Sequence, residues 1–347
     1  MTGAATALQI WLAAGALASA AALSAILIVL LSPVLRRYAT ARPNARSSHR
    51  EPTPQGGGLA VVAATLVVTL AGATMLSNIG SPVLREVLAV LVATVLIAVV
   101  GGADDLRPLP VIPRLLLQTI GIAVALAAVP DDLRIVPLLP WWVERICLLA
   151  GLLWFVNLVN FMDGIDWMTV AEVVPLMATL ALLGLWGTIP APPALVAFAL
   201  LGAMLGFAPF NKPVARLFLG DVGSLPIGLL LGWLLLQLAG AGQIAAAILL
   251  PLYYGADATL TLVRRIAAGE PFWQAHRSHF YQRACDMGFS VPAIVGRVFV
   301  TNLVLCGLAL LTVATHDLLA CACALVIGAG LVAWLLLSFS RKRASLA

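Results

Sequence analysis

Between Asn157 and Trp167 the sequence Asn-Leu-Val-Asn-Phe-Met-Asp-Gly-Ile-Asp-Trp sets two amides and two carboxylates at the end of a long apolar run. Polar groups in that setting are costly unless they meet a partner, a ligand or a wet cavity. Asn157, Asn160, Asp163 and Asp166 recur at three-residue spacing, so a continuing helix would hold all four on neighbouring turns. Gly164 is expected to end or kink that helix and to leave the last carboxylates at a membrane mouth. The plain alternative is a polar helix end that marks where the lipid stops.

Three further clusters carry the same residue types. Asp104 and Asp105 close an apolar run and are followed by Arg107 and Arg114. Adjacent carboxylates repel and ask for a cation, either an arginine or Mg²⁺. Mg²⁺ favours one or two carboxylates, several waters and the phosphates of a substrate. Asp221, between Gly220 and Val222, heads another apolar run after Asn211, Lys212 and Arg216. An N-cap is its modest role, and room for a ligand beside the glycines is the functional one. In His276-Arg277-Ser278-His279 neither histidine has a Cys or a nearby acid in sequence to complete a metal site. Phosphate contact beside Arg277 and Arg283 fits better, against the bland option of an interfacial segment whose Phe280 and Tyr281 dip into headgroups. Arg50 belongs to a basic, Pro-rich first loop that ends in Gly56-Gly57-Gly58, where backbone can approach another chain or a phosphate. Asp257 and Glu172 are read as structural acids that pair with arginines. Together the acids, amides, arginines and histidines describe a Mg²⁺-dependent phosphate-handling site with a lipid as one substrate.

The elements that must position these groups are transmembrane helices. The chain has 347 residues, 62% hydrophobic and 10% charged, with a mean hydropathy of +1.05, which excludes an ordinary soluble domain. Apolar runs at 8–31, 57–76, 86–102, 115–129, 141–159, 169–187, 193–209, 222–239, 243–263, 292–314 and 317–338 predict an all-α integral membrane protein of about eleven spans. All of the 20 Lys and Arg residues except Arg85, Arg134 and Arg145 fall in one alternate set of loops. The positive-inside rule then predicts an outside N-terminus and a cytoplasmic C-terminus, which needs an odd number of spans. The first charge is Arg36, so the opening run lacks a basic n-region and is expected to be a retained span.

No internal repeat or low-complexity linker divides the chain, so 1–347 is read as a single domain whose cytoplasmic loops 32–57, 103–114, 157–168, 210–224 and 264–291 carry the site. The outer stretch from Asp131-Asp132 to Trp141-Trp142 reads as a solvated turn with an aromatic anchor. Cys147, Cys285, Cys306, Cys321 and Cys323 look like small core residues. The net charge of +5 lies in short loops, where orientation and anionic lipid account for it, and no nucleic-acid partner is expected. A transporter would hold its ionisable groups near the midplane, and a non-catalytic polyprenyl-lipid binding protein would not need the carboxylate sets.

Asp104-Asp105, the Asn157 to Asp166 stretch, Leu219-Gly220-Asp221-Val222-Gly223-Ser224 and His276-Arg277-Ser278-His279, in that order, resemble the polyprenyl-phosphate N-acetylhexosamine-1-phosphate transferases, glycosyltransferase family 4. The eleven-span count, Pro52 to Gly58 and the His-Arg-Ser-His pattern look more like the bacterial enzymes that start O-antigen or related glycans than the muramoyl-pentapeptide branch. The resemblance implies that a UDP-N-acetylhexosamine gives its sugar phosphate to undecaprenyl phosphate and releases UMP. It implies Mg²⁺, with Mn²⁺ as a substitute, on Asp221 with Asn160 or Asp163. Asp104 and Asp105 would position or deprotonate the lipid phosphate. Asn211 and Asp166 would contact the uracil end, and His276, His279 and Arg277 the sugar or phosphate. Asn157, Arg114 and Arg50 complete the candidate substrate contacts. The bacterial inner membrane, as a multi-pass protein with a homodimer as one option, is the implied setting. Two departures stand out: Arg50-Glu51 where members often carry lysine, and Trp167 in place of glycine after Asp166.

Overall fold

The computed structural model describes residues 3–41, 52–76, 81–271 and 276–341. The helices run α1 (Gly3–Tyr38), α2 (Gly58–Leu76), α3 (Pro82–Leu106), α4 (Val111–Ala127), α5 (Trp141–Met162), α6 (Met168–Leu185), α7 (Ala191–Phe207), α8 (Asp221–Gly240), α9 (Ile244–Leu249), α10 (Leu252–Ala267), α11 (Phe280–Asp286), α12 (Val291–Thr315) and α13 (Leu318–Phe339). Each of the eleven apolar runs is helical. The ninth is broken into α9 and α10 at Pro251, whose ring removes a backbone donor and crowds the preceding turn. Eight of the helices have the length and apolarity to cross a bilayer, and α4 and α7 are shorter apolar helices of 17 residues each. The protein is thus an all-α, multi-pass membrane protein. Two short strands, β1 (Thr40–Ala41) and β2 (Thr53–Pro54), pair antiparallel where the first loop leaves and re-enters the helices.

Helix α8 is the axis. It is apolar all round and almost wholly buried, as a helix without a polar face must be. It packs against α3, α5 and α2. Helices α3 and α8 run antiparallel: Asp105 meets the start of α8, and near the other end Glu86 accepts hydrogen bonds from Trp233 and Gln237. The chemistry-bearing end and the far end are therefore distinct. At the far end Glu144 accepts from Arg134 and from the amides of Ile135 and Val136, closing the turn between α4 and α5, where Asp131 and Asp132 are exposed as expected.

In lipid, helices gain little from hiding apolar surface from one another, so small residues and polar ties do the joining. A methyl group on Gly58 would overlap the backbone of Gly223, and one on Gly101 would overlap the carbonyl of Asp221. The first-loop glycines thus serve approach to another stretch of chain, and Gly57 and Gly58 donate to the carbonyls of Phe218 and Leu219 at 2.9 and 2.8 Å. Replacing Gly101 by Ala is expected to push the start of α8 away. Overpacking of this kind costs about 1–3 kcal/mol, read as a lower melting temperature of the detergent-purified protein. An unchanged melting temperature would show that α3 and α8 do not depend on this contact.

Other expectations are corrected. Cys147 and Cys323 are exposed on their helices, not core residues, though all five cysteines are free. Phe280 and Tyr281 are buried, not dipped into headgroups, because α11 packs inward against α13, α12 and α10.

Candidate active site

The acids converge at one end of the bundle. Helix α3 continues through Gly101-Gly102, so Asp104 and Asp105 lie in its last turn on different sides. Asp105 turns to α8, where its two oxygens accept from the amides of Asp221 and Val222 at 2.9 and 3.0 Å. It supplies the cap that Asp221 had been expected to provide; Asp221 is the first residue of α8, behind Gly220 at φ 77°. The carboxylate of Asp221 is left to face Asp104 and Asn160. Asn160 donates to Asp221 Oδ1 at 2.7 Å and to Ser224 at 2.9 Å, and Asp104 and Asp221 lie within interaction distance of each other. Asp104 also accepts from Arg114 at 3.0 Å and from the Leu109 amide at 2.6 Å.

The α5 tetrad is only partly assembled, because α5 ends at Met162, before Gly164. Asn157 and Asn160 stay on the helix. Asn157 donates to Gln118 at 2.7 Å and to the carbonyl of Leu153 at 2.8 Å. Asp163 follows the last turn and accepts from Thr169. Burial, with the charges of Asp105 and Asp166 nearby, pushes its carboxyl up to about 7. Asp166 stays close enough for its charge to act on Asp163 but bonds to the 208–219 loop. It is buried and accepts from the Ala215 amide at 2.9 Å. Asn211 is also buried, accepting from the Trp167 amide and donating to the Leu217 carbonyl. Both residues knit the 163–167 and 208–219 loops together, so the assignment of uracil contacts to them meets side chains already engaged in scaffolding. Trp167 stands at φ 62°, a left-handed conformation that favours glycine. Its indole N–H donates to the Ala208 carbonyl at 2.7 Å, tying down the strained residue.

The histidine motif reaches the same place. His276 and His279 stack at 5.0 Å and border a cavity of about 640 Å³ together with Asp104, Arg114, Asn157 and Asn160. The remaining wall is apolar, from Leu109, Val111 and Leu115 to Leu153, Trp154 and Leu262. Arg277 does not line this cavity; it pairs with Asp286 at 3.4 Å. Arg50 lies outside the described residues. Sequence reading missed the roles of two acids. Among the described residues Asp257 pairs with no arginine: it accepts from the amides of Phe280 and Tyr281 at 3.0 and 3.1 Å and lies 3.3 Å from His279 Nδ1. Glu172 accepts from Asn302 at 2.6 Å. Nothing in the local sequence announces either, because both partners come from distant helices.

The profile of glycosyl transferase family 4 matches residues 87–239. The decaprenyl-phosphate N-acetylglucosaminephosphotransferase of Mycolicibacterium smegmatis is 30% identical over 289 residues, covering 74% of this chain and 71% of the relative. The chain belongs to glycosyl transferase family 4. Another similar member, a probable undecaprenyl-phosphate N-acetylglucosaminyl 1-phosphate transferase of Bacillus subtilis, is 25% identical over 77% of this chain and 76% of its own length. The phospho-N-acetylmuramoyl-pentapeptide-transferase of a Synechococcus strain is 35% identical, over 65% of this chain and 70% of its own length. The N-acetylglucosamine relatives thus align with more of this family member than the muramoyl-pentapeptide one does, in keeping with the branch that the motifs suggested.

Proposed function

We propose that this protein transfers an N-acetylhexosamine 1-phosphate from a UDP-sugar to undecaprenyl phosphate or a related polyprenyl phosphate, at the cytoplasmic face of the bacterial inner membrane. The observation that carries the reading is a single cavity with two unlike walls. Asp104, Arg114, Asn160 and the histidines suit phosphates, while the leucines and Trp154 suit a prenyl chain. The matched relatives are named for this kind of reaction.

The donor set fits Mg²⁺ in a particular way. No group of three or more His, Cys, Asp or Glu able to hold a metal occurs among the described residues. Asp221 and Asp104 face each other, and among the described residues Arg114 is the cation paired with them, the supply that suits an ion completed by waters and substrate phosphates. Asn160 turns its N–H groups to Asp221, so it orients the carboxylate in place of lending its carbonyl oxygen. When bound, Mg²⁺ would supply positive charge to the pyrophosphate oxygens. Arg114 would orient the lipid phosphate, whose oxygen attacks the phosphorus that bears the sugar. A new P–O bond forms to that phosphorus as its bond to UMP breaks. A phosphate monoester is already ionised near neutrality, so no base need take a proton.

The test is UMP release by purified protein in detergent, with Mg²⁺, undecaprenyl phosphate and a panel of UDP-N-acetyl sugars. Release that needs the lipid supports the proposal, and absence of release with every sugar sinks it. A pH signature accompanies it. Asp163 is raised from its unfolded value to about 7, so the folded state holds a proton that the unfolded chain has lost. The neutral form of Asp163 therefore favours the fold at low pH, and that support disappears as pH rises through about 7. The metal-free protein is expected to melt a few degrees lower at pH 8 than at pH 5, and Asp163→Asn should flatten the slope. Added Mg²⁺ should recover the loss at pH 8; no effect of Mg²⁺ there would count against a cation beside these acids.

A further inference from the structure

We propose that Asp257 is a positioning residue for His279, holding the ring so that Nε2 meets a substrate phosphate in the cavity. The inference rests on the phosphosugar-transfer reading above. Asp257 is fully buried on α10, and its oxygens are the shared acceptor for four neighbours besides the histidine. Two are the first amides of α11, and two are the hydroxyls of Tyr253 and Thr261, each at 3.4 Å. The cation nearest in sequence, Arg264, instead covers the ring of Phe280 at 5.2 Å. The charge of Asp257 is thus directed at one helix start and one imidazole.

His279 is the residue just before α11, at φ −60° and ψ 149°, so the helix that Asp257 caps also fixes the backbone from which the ring projects. The ring is held on its faces as well. His276 stacks on it at 5.0 Å and 23°, and Tyr281 at 5.8 Å and 28°. An ionised carboxylate only accepts, so the arrangement proposed puts the ring proton on Nδ1, 3.3 Å from Asp257, and leaves Nε2 for a ligand. A carboxylate behind an imidazole sets tautomer and direction in this way. The ring borders the same cavity as Asp104, Arg114 and Asn160, so a substrate phosphate bound there would lie beside the imidazole.

The experiment uses the full chain in detergent, with a panel of UDP-N-acetyl sugars, undecaprenyl phosphate and Mg²⁺. Failure of the wild-type protein to release UMP from any UDP-sugar refutes the transferase reading before any variant is made. Given wild-type activity, Asp257→Asn and His279→Ala should each lower kcat by about 10–100-fold while the KM for lipid stays within about twofold. The double variant should be no slower than the slower single one, because the two residues act as a unit. Wild-type kcat for Asp257→Asn, or losses that multiply in the double variant, would overturn the proposal. Where Asp257→Asn does not yield folded protein, His279→Gln against His279→Asn decides. Gln sets an amide nitrogen near the Nε2 position and should retain more activity than Asn, which sets one near Nδ1; the reverse order overturns the proposal.

Discussion

Asp221→Asn is expected to lower kcat by about 10³-fold, the scale on which loss of a metal-facing charge costs several kcal/mol of transition-state stabilisation. The fold should survive. Asn matches Asp in shape, its carbonyl oxygen can still accept from Asn160, and the backbone amide of residue 221 still donates to Asp105. The melting temperature should stay close to wild type, and binding of the polyprenyl phosphate, which leans on Arg114 and the apolar wall, should change little. A variant that keeps more than about a tenth of wild-type kcat would remove Asp221 from the reaction centre.

Asp105→Ala should show the opposite coupling, a loss of activity and stability together. Its carboxylate satisfies two amides at the start of the most buried helix. An orphaned buried donor costs about 1–3 kcal/mol, and here two are exposed at once. With the cap gone, the first turn of α8 relaxes and carries Asp221 with it, so kcat falls for a structural reason. Asp105→Asn should sit between Ala and wild type, because a carboxamide offers a single acceptor and turns an NH₂ towards donors. If Asp105→Ala melts like wild type while activity vanishes, Asp105 touches the reacting groups itself, as the motif reading held. Measuring melting temperature and kcat on the same preparation separates the two.

Most of the helical frame was legible in the sequence because membrane spans are written as uninterrupted apolar length. Each of the eleven runs became helix, and even the break of the ninth is marked by Pro251. The acids were legible for a related reason: Asp104, Asp163 and Asp221 interrupt or end apolar stretches where a charge needs a purpose. What spacing could not supply is direction. Asp104 and Asp105 are adjacent, yet one faces the cavity and the other caps α8, a division set by how α3 meets α8. Asp163 and Asp166 looked like equal members of one stripe until α5 stopped at Met162. Asp257 lay 22 positions from His279, beyond any local pattern.

The histidines and the acids are anchored in different ways. Asp104, Asn160 and Asp221 stand on three long helices whose backbones touch, whereas His276 and His279 project from a segment tied down chiefly through α11 and Asp257. The two halves of the site are thus held independently, so a disturbance of the segment that carries the histidines need not displace the acids.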